Sequence, residues 1–182
     1  MVEVLVGIVV LSFGLLGVVG LQAASLKFTR DARIQSVAVG LGRELGEMMR
    51  ANAQVAALTT NNPYLGSFSG SPMTPGTASH CLAVGSSCAS ATDVANAEMT
   101  DWLSRVSDAL PGARVTVCTD SAPFDANGLP VWACTASGTT TDNATYIKIG
   151  WTREDTKGTV VESSATNARP FVVFPVTPSG QM

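Results

Sequence analysis

Residues able to do chemistry are few in this chain and unevenly spread. Glu3 stands alone ahead of a long uncharged run, Cys81, Cys88, Cys118 and Cys134 all lie far beyond it, and His80 is the only histidine. An ionised side chain is expensive in lipid, roughly 2.5 to 3.5 kcal/mol at mid-membrane on insertion scales, so a carboxylate beside an apolar span marks either a functional position or headgroup depth. An even number of cysteines in an exported segment suits disulfides. Zinc is the competing use, but the chain has no Cys-x-x-Cys pair, and His80 beside Cys81 makes one tetrahedral site awkward to close. Four cysteines allow three connectivities. Pairing Cys81 with Cys88 and Cys118 with Cys134 is favoured because each closes a short local loop, although sequence leaves the choice open.

Catalytic and ligand-binding patterns are poorly supported. A serine hydrolase needs a base, and His80 has no Gly-x-Ser-x-Gly near it. Asp125-Ala126-Asn127-Gly128 opens like a calcium loop, yet Ala136 stands about where its closing glutamate belongs, so a β-turn is expected. Phosphate-binding glycine loops and dinucleotide fingerprints are absent. The expectation is a protein that is no enzyme and carries no cofactor or metal. Its net charge of -3 argues against general nucleic-acid binding, which needs a basic face.

The elements that must position these residues begin with a membrane-length segment. Val4 to Leu26 carries no charge and is mostly Val, Leu, Ile, Gly and Phe, meeting the requirement of roughly 20 apolar residues for a bilayer span. A cleaved secretory signal would need a basic start and a small-residue cleavage site. Here the charge before the run is the acidic Glu3, and Gln22-Ala23-Ala24-Ser25 leads into more helical sequence. Ile34, Val37, Leu41, Leu45, Met48 and Val55 then recur at steps of three or four, with one unfilled step at Asn52. With no proline before Pro63, the pattern predicts one helix over residues 2–57. Such a helix is roughly 80 Å long, at a rise of about 1.5 Å per residue. Residues 1–26 form its apolar half and residues 27–57 its amphipathic half. The pairs Lys27 with Asp31 and Arg43 with Glu47 add a few tenths of a kcal/mol each. Gly7, Gly14, Gly17 and Gly20 suit close helix packing or local unwinding, or simply an ordinary glycine-bearing span.

A globular head over residues 58–182 follows. Gly, Ser, Thr, Asn and Pro dominate 59–92, which reads as loop. A helix over 93–110 is expected, N-capped by Asp93, burying Val94, Ala97, Leu103, Val106 and Leu110 with Trp102 as a core residue, and stopped by Pro111-Gly112. Strands are expected at Ala113–Thr119, Val131–Thr135, Thr145–Arg153 and Phe171–Val176, with turns at Asn127-Gly128 and Lys157-Gly158. Ile147, Ile149 and Trp151 alternate with Lys148, Gly150 and Thr152, so one face of that strand should rest on the long helix. The predicted class is α+β: a long helix on a roughly four-stranded antiparallel sheet spanning 113–176, with an extra helix between them. Charged residues make up only 14% of the chain. Soluble globular proteins carry roughly 25%. Part of the chain avoids water.

Val2-Glu3-Val4-Leu5-Val6 followed by Leu11-Ser12-Phe13-Gly14-Leu15-Leu16-Gly17 resembles the mature N-terminus of type IV pilins, and most of all the minor pilins called PilV, or type IV pilus modification proteins. The resemblance covers about the first third of the chain. Cysteines ahead of an Asp-led helix with Trp102, then Pro111-Gly112, then Ile147-Lys148-Ile149-Gly150-Trp151, match more loosely. It implies the type IV pilin fold and a structural role. Val4, Leu5, Val6, Leu11, Phe13, Leu15 and Leu16 would pack in a filament core, and Glu3 would neutralise the amino terminus of a neighbouring subunit. It further implies major and minor pilins as partners, an inner-membrane assembly machinery, and a prepilin peptidase acting on the precursor. The protein would sit in a bacterial inner membrane with a periplasmic head, then in a surface pilus.

Family precursors carry a basic leader ending in Gly, cut before a Phe that becomes N-methylated. Met1 stands only two residues before Glu3, so neither a cleavage nor a methylation residue is assigned. A basic leader ahead of Met1 would also offset Lys27, Arg30 and Arg33, which by the positive-inside tendency favour a cytoplasmic location for that end. Two alternatives stay open: a type II secretion pseudopilin of the same fold, and a membrane-anchored periplasmic binding or adhesion module whose helix is a tether.

Overall fold

The structure is a computed structural model describing residues 2–135, 144–155 and 158–177. It divides into two compact units, Met1–Ser36 and Val37–Met182. Helix α1 runs Val2–Ala51, as a proline-free sequence allows. Over residues 4–26 it is apolar on every side, with Val4, Leu5, Leu11 and Phe13 all more than half exposed. A helix hydrophobic all round belongs in lipid or inside a bundle. In the second unit α1 becomes one-sided, burying Ala38, Leu41, Leu45 and Met49.

The helix expected over 2–57 is broken at Asn52, whose backbone (φ -115°, ψ 51°) leaves the helical region before a short α2, Ala53–Ala56. Asparagine is a poor interior residue because its amide competes for backbone partners. Here Asn52 Nδ2 donates to the Ala91 carbonyl at 2.9 Å, linking this bend to the next long helix. Asn62 Nδ2 then donates to the carbonyls of Ala56 and Leu58, satisfying acceptors that a helix end leaves orphaned.

That next helix, α3, spans Ala91–Ala109 and is capped by Ser90, not by Asp93. Ser90 Oγ accepts from the Asp93 backbone N–H at 3.1 Å and donates to Asp93 Oδ2 at 3.0 Å. This is a reciprocal cap in which Asp93 is the third helical residue. Two polar residues three apart each suit the start, and the serine wins because its hydroxyl can both accept and donate. α3 buries Ala95, Met99, Trp102, Leu103 and Val106, while Val94 is only half-buried. Trp102 is wholly buried in the core, with Nε1 donating to the Leu41 carbonyl of α1 at 3.0 Å.

A four-stranded antiparallel sheet completes the second unit, with β1 (Gly66–Ser69), β2 (Arg114–Asp120), β3 (Ala144–Gly150) and β6 (Val172–Val176) paired in that order. β1 lies inside the predicted loop 59–92, and residues 131–135 form no strand, so the sheet keeps four strands but takes Gly66–Ser69 in place of the expected Val131–Thr135. Gly-Ser-Phe-Ser carries one apolar residue, Phe68, too little alternation to read, whereas Trp132 packs its ring against Gly150 of the sheet without belonging to a strand. Beyond β3 the chain makes a small hairpin, β4 (Arg153–Glu154) with β5 (Val160–Val161). The turn residue Lys157 lies outside the described residues.

Ile147, Ile149 and Trp151 of the β3 region are buried. A Cβ built on Gly42 would sit 3.6 Å from Ile149 Cδ1, and one on Gly46 would sit 3.6 Å from both Phe174 and Val176. Two glycines four apart thus let the backbone of α1 approach the sheet closely. The protein is therefore α+β, a long N-terminal helix with a four-stranded antiparallel sheet.

Candidate functional site

Glu3 lies in the first turn of α1, where the unsatisfied N–H groups of the helix favour negative charge. Among the described residues no cation pairs with it. Val4, Leu5, Val6, Leu11, Phe13, Leu15 and Leu16 are 57 to 71% exposed on this one chain. No atom comes within 4 Å of a Cβ placed on Gly7, Gly14, Gly17 or Gly20. Two hydroxyls in this helix bond back to it: Ser12 Oγ donates to the Ile8 carbonyl at 2.7 Å, and Thr29 Oγ1 to that of Ser25 at 2.9 Å. The helix is long and apolar enough to cross a membrane, with a mean hydropathy of 2.7 over an 18-residue stretch.

On the head, Cys81 is bonded to Cys88 and Cys118 to Cys134. The second bridge fastens residues 121–135 to β2, a buried ion pair joins β2 to β3, and the same lysine fastens residues 121–135 to β3. Lys148 and Asp120 are both inaccessible to solvent and bonded to each other; Lys148 Nζ also donates to the Ala133 carbonyl at 2.6 Å. Asp120 Oδ1 accepts the backbone N–H groups of Ala122 and Thr135 at 2.9 and 3.0 Å. Burial by itself would raise the Asp120 pKa, but the Lys148 ammonium and these two N–H donors outweigh it and hold the carboxyl below its ordinary value. Trp132 lies over Gly150, where a Cβ would come within 2.8 Å of its ring. The Arg114 guanidinium stacks 4.3 Å from the centre of that ring, a cation–π contact. The expected Asp125 turn is an Asx turn, in which Asp125 Oδ1 accepts from Asn127 and Leu129. Gly128 takes φ +74° there, and Arg169 pairs with Asp125 Oδ2 at 2.8 Å. Backbone donation from Leu129 leads the causes that lower the Asp125 pKa.

A groove of about 750 Å³ opens between α1, α3 and residues 72–83. Arg105 of α3 grips both carboxylate oxygens of Glu44 on α1, at 2.6 and 2.8 Å, and its Nε reaches Asp101 at 3.0 Å. The Glu44 hydrogen bonds lead the causes that raise the Arg105 pKa. Glu98 Oε2 accepts the buried Tyr64 hydroxyl at 2.6 Å, and burial followed by that bond pushes the Tyr64 pKa up. His80 lines the groove mouth, and no side chain among the described residues hydrogen-bonds its ring. Among the described residues no group of three His, Cys, Asp or Glu side chains is placed to hold a metal ion.

Sequence reading missed the Lys148–Asp120 pair and the Arg105 clamp. Asp101 and Arg105 stand at helical spacing, a readable pair. Glu44 is far from Arg105 in the chain, and only the packing of α1 on α3 joins them. Compared with known proteins, the chain matches no family model, no curated protein and no solved structure.

Proposed function

We propose that the chain is a minor pilin of the type IV class, held in the inner membrane with a periplasmic head and then drawn into a pilus, where it acts by helix packing. One observation carries this reading: residues 4–26 of α1 are uncharged and exposed, and ahead of them the first turn bears a single carboxylate, Glu3, that no cation among the described residues meets. A plain membrane tether has no need of that carboxylate, whose cost in low dielectric an ammonium on a neighbouring subunit would offset. The α+β head, with its sheet laid on the amphipathic half of the same helix, supports the same reading.

Partners in this reading are other pilins through Val4 to Leu16, the inner-membrane assembly machinery, and a prepilin peptidase acting on the precursor. Glu3→Gln and Glu3→Ala should leave a folded, membrane-retained protein that is depleted at least tenfold from sheared surface fibres. Normal incorporation of either variant would remove the role of Glu3. A reporter fused after Met182 should be periplasmic, and a cytoplasmic reporter would sink the pilin reading. A type II pseudopilin would instead be absent from fibres while its loss blocked protein export.

A further inference from the structure

The uncharged stretch of α1, residues 4–26, is roughly 34 Å long at a rise of 1.5 Å per residue. A hydrocarbon core is about 30 Å thick, with a headgroup layer of roughly 5 to 7 Å on each side. A span of that length brings Leu26 to the edge of the apolar region and sets the residues after it among the headgroups. Residues 27–33 follow, all exposed.

Three cations stand there at steps of three, Lys27, Arg30 and Arg33, against the single acid Asp31. Residues three apart are neighbours on a helix surface, so the cations form one basic stripe. Among the described residues no carboxylate pairs with Arg30 or Arg33. Helical side chains lean toward the N-terminus, which here is toward the span. Long basic stems also reach along apolar surface to place their heads in a polar layer. Arg33, about 9 Å beyond Lys27 along the axis, is thereby drawn back toward the headgroups. Phe28 lies on the other side of the helix, 75% exposed. A leaflet surrounds a helix completely, so its ring enters the acyl boundary there while the stripe meets charge.

The positive-inside tendency disfavours cations on the periplasmic side, where the proposed function puts this end of the span, so the stripe calls for an anionic partner close by. Resting on the membrane-held state of that reading, we propose that Arg30 and Arg33, with Lys27 adding to the field, bind the phosphates of anionic phospholipids around the unassembled subunit. Planar guanidinium forks match phosphate oxygens. Three cations against one acid leave an excess of positive charge in this stretch, which selects anionic lipid over lipid that neutralises its own phosphate.

The test uses the full chain reconstituted in phosphatidylcholine vesicles holding spin-labelled phosphatidylglycerol or spin-labelled phosphatidylcholine. The share of label immobilised at the protein should favour phosphatidylglycerol by about threefold or more, and the preference should fade as salt is raised. Arg30→Gln with Arg33→Gln should bring the two lipids level. Arg43→Gln removes an exposed charge roughly 15 Å farther along α1, beyond a Debye length, and should leave the preference intact. A preference that survives the paired change, or one lost with Arg43→Gln, would overturn the proposal. Protein that carbonate washes from the vesicles sinks the membrane-held state and the headgroup site with it. Protein that stays in the vesicles and immobilises both lipids equally sinks the headgroup site alone. Lipid preference in a protein absent from sheared fibres upholds that site and sinks the filament role.

Discussion

Asp120 and Lys148 form an ion pair with no access to water, so each depends on the other for its charge. Removing one partner of such a pair typically costs about 3 to 5 kcal/mol because the other is left buried and unpaired. Asp120→Asn should therefore lower stability by about that much in denaturant unfolding, and Asp120→Asn with Lys148→Met should cost less than the sum of the two single changes. The carboxyl's pKa is held low in the folded state. Its contribution is therefore complete above the unfolded value of about 3.9 and is lost as pH falls through the folded value. The stability gap between the parent protein and Asp120→Asn should accordingly narrow below about pH 4, as thermal melts across pH would show. Nothing in the alternation of β3 marks Lys148 as buried. A lysine opposite Ile147 and Ile149 reads as solvent-facing until residues 121–135 are seen to cover it.

At the scale of elements, Gly46 separates two effects. A Cβ there would meet Phe174 and Val176 at 3.6 Å, an ordinary contact distance. Gly46→Ala should be neutral or stabilise by up to about 1 kcal/mol through helix propensity, whereas Gly46→Leu should destabilise by about 1 to 3 kcal/mol through overpacking. Thermal unfolding of both variants tests the close approach of α1 to the sheet. Ser90→Ala should cost about 1 kcal/mol by removing the cap of α3. An alanine at Asp93 leaves the serine hydroxyl bonded to the same backbone N–H and should cost less. Helices were easier to read than strands for a physical reason. α1 and α3 repeat their apolar residues over several turns, while β1 offers a single buried phenylalanine whose role depends on its pairing with Val115 across the sheet.

For the whole molecule, the second unit holds both disulfides and the core around Trp102, Ile147 and Ile149. A chain lacking the residues before Lys27 should keep the head's cooperative melt within a few degrees, yet lose membrane retention and filament entry; a tethered binding module would keep its whole activity instead. Cys118 and Cys134 close a short loop, and reducing their bond should cost about 3 kcal/mol by the loop-closure relation. Sequence alone determined the apolar helix, the isolated Glu3, the second helix and the α+β class, because these rest on local composition and on apolar residues a few positions apart. Tertiary structure decided that Gly66–Ser69 and not Val131–Thr135 joins the sheet, that the long helix breaks at Asn52 beside Ala91, and how Lys148 and Glu44 find their partners. Those outcomes join residues far apart in the chain, and the pairing energy that selects them exists only once the backbone has brought them together.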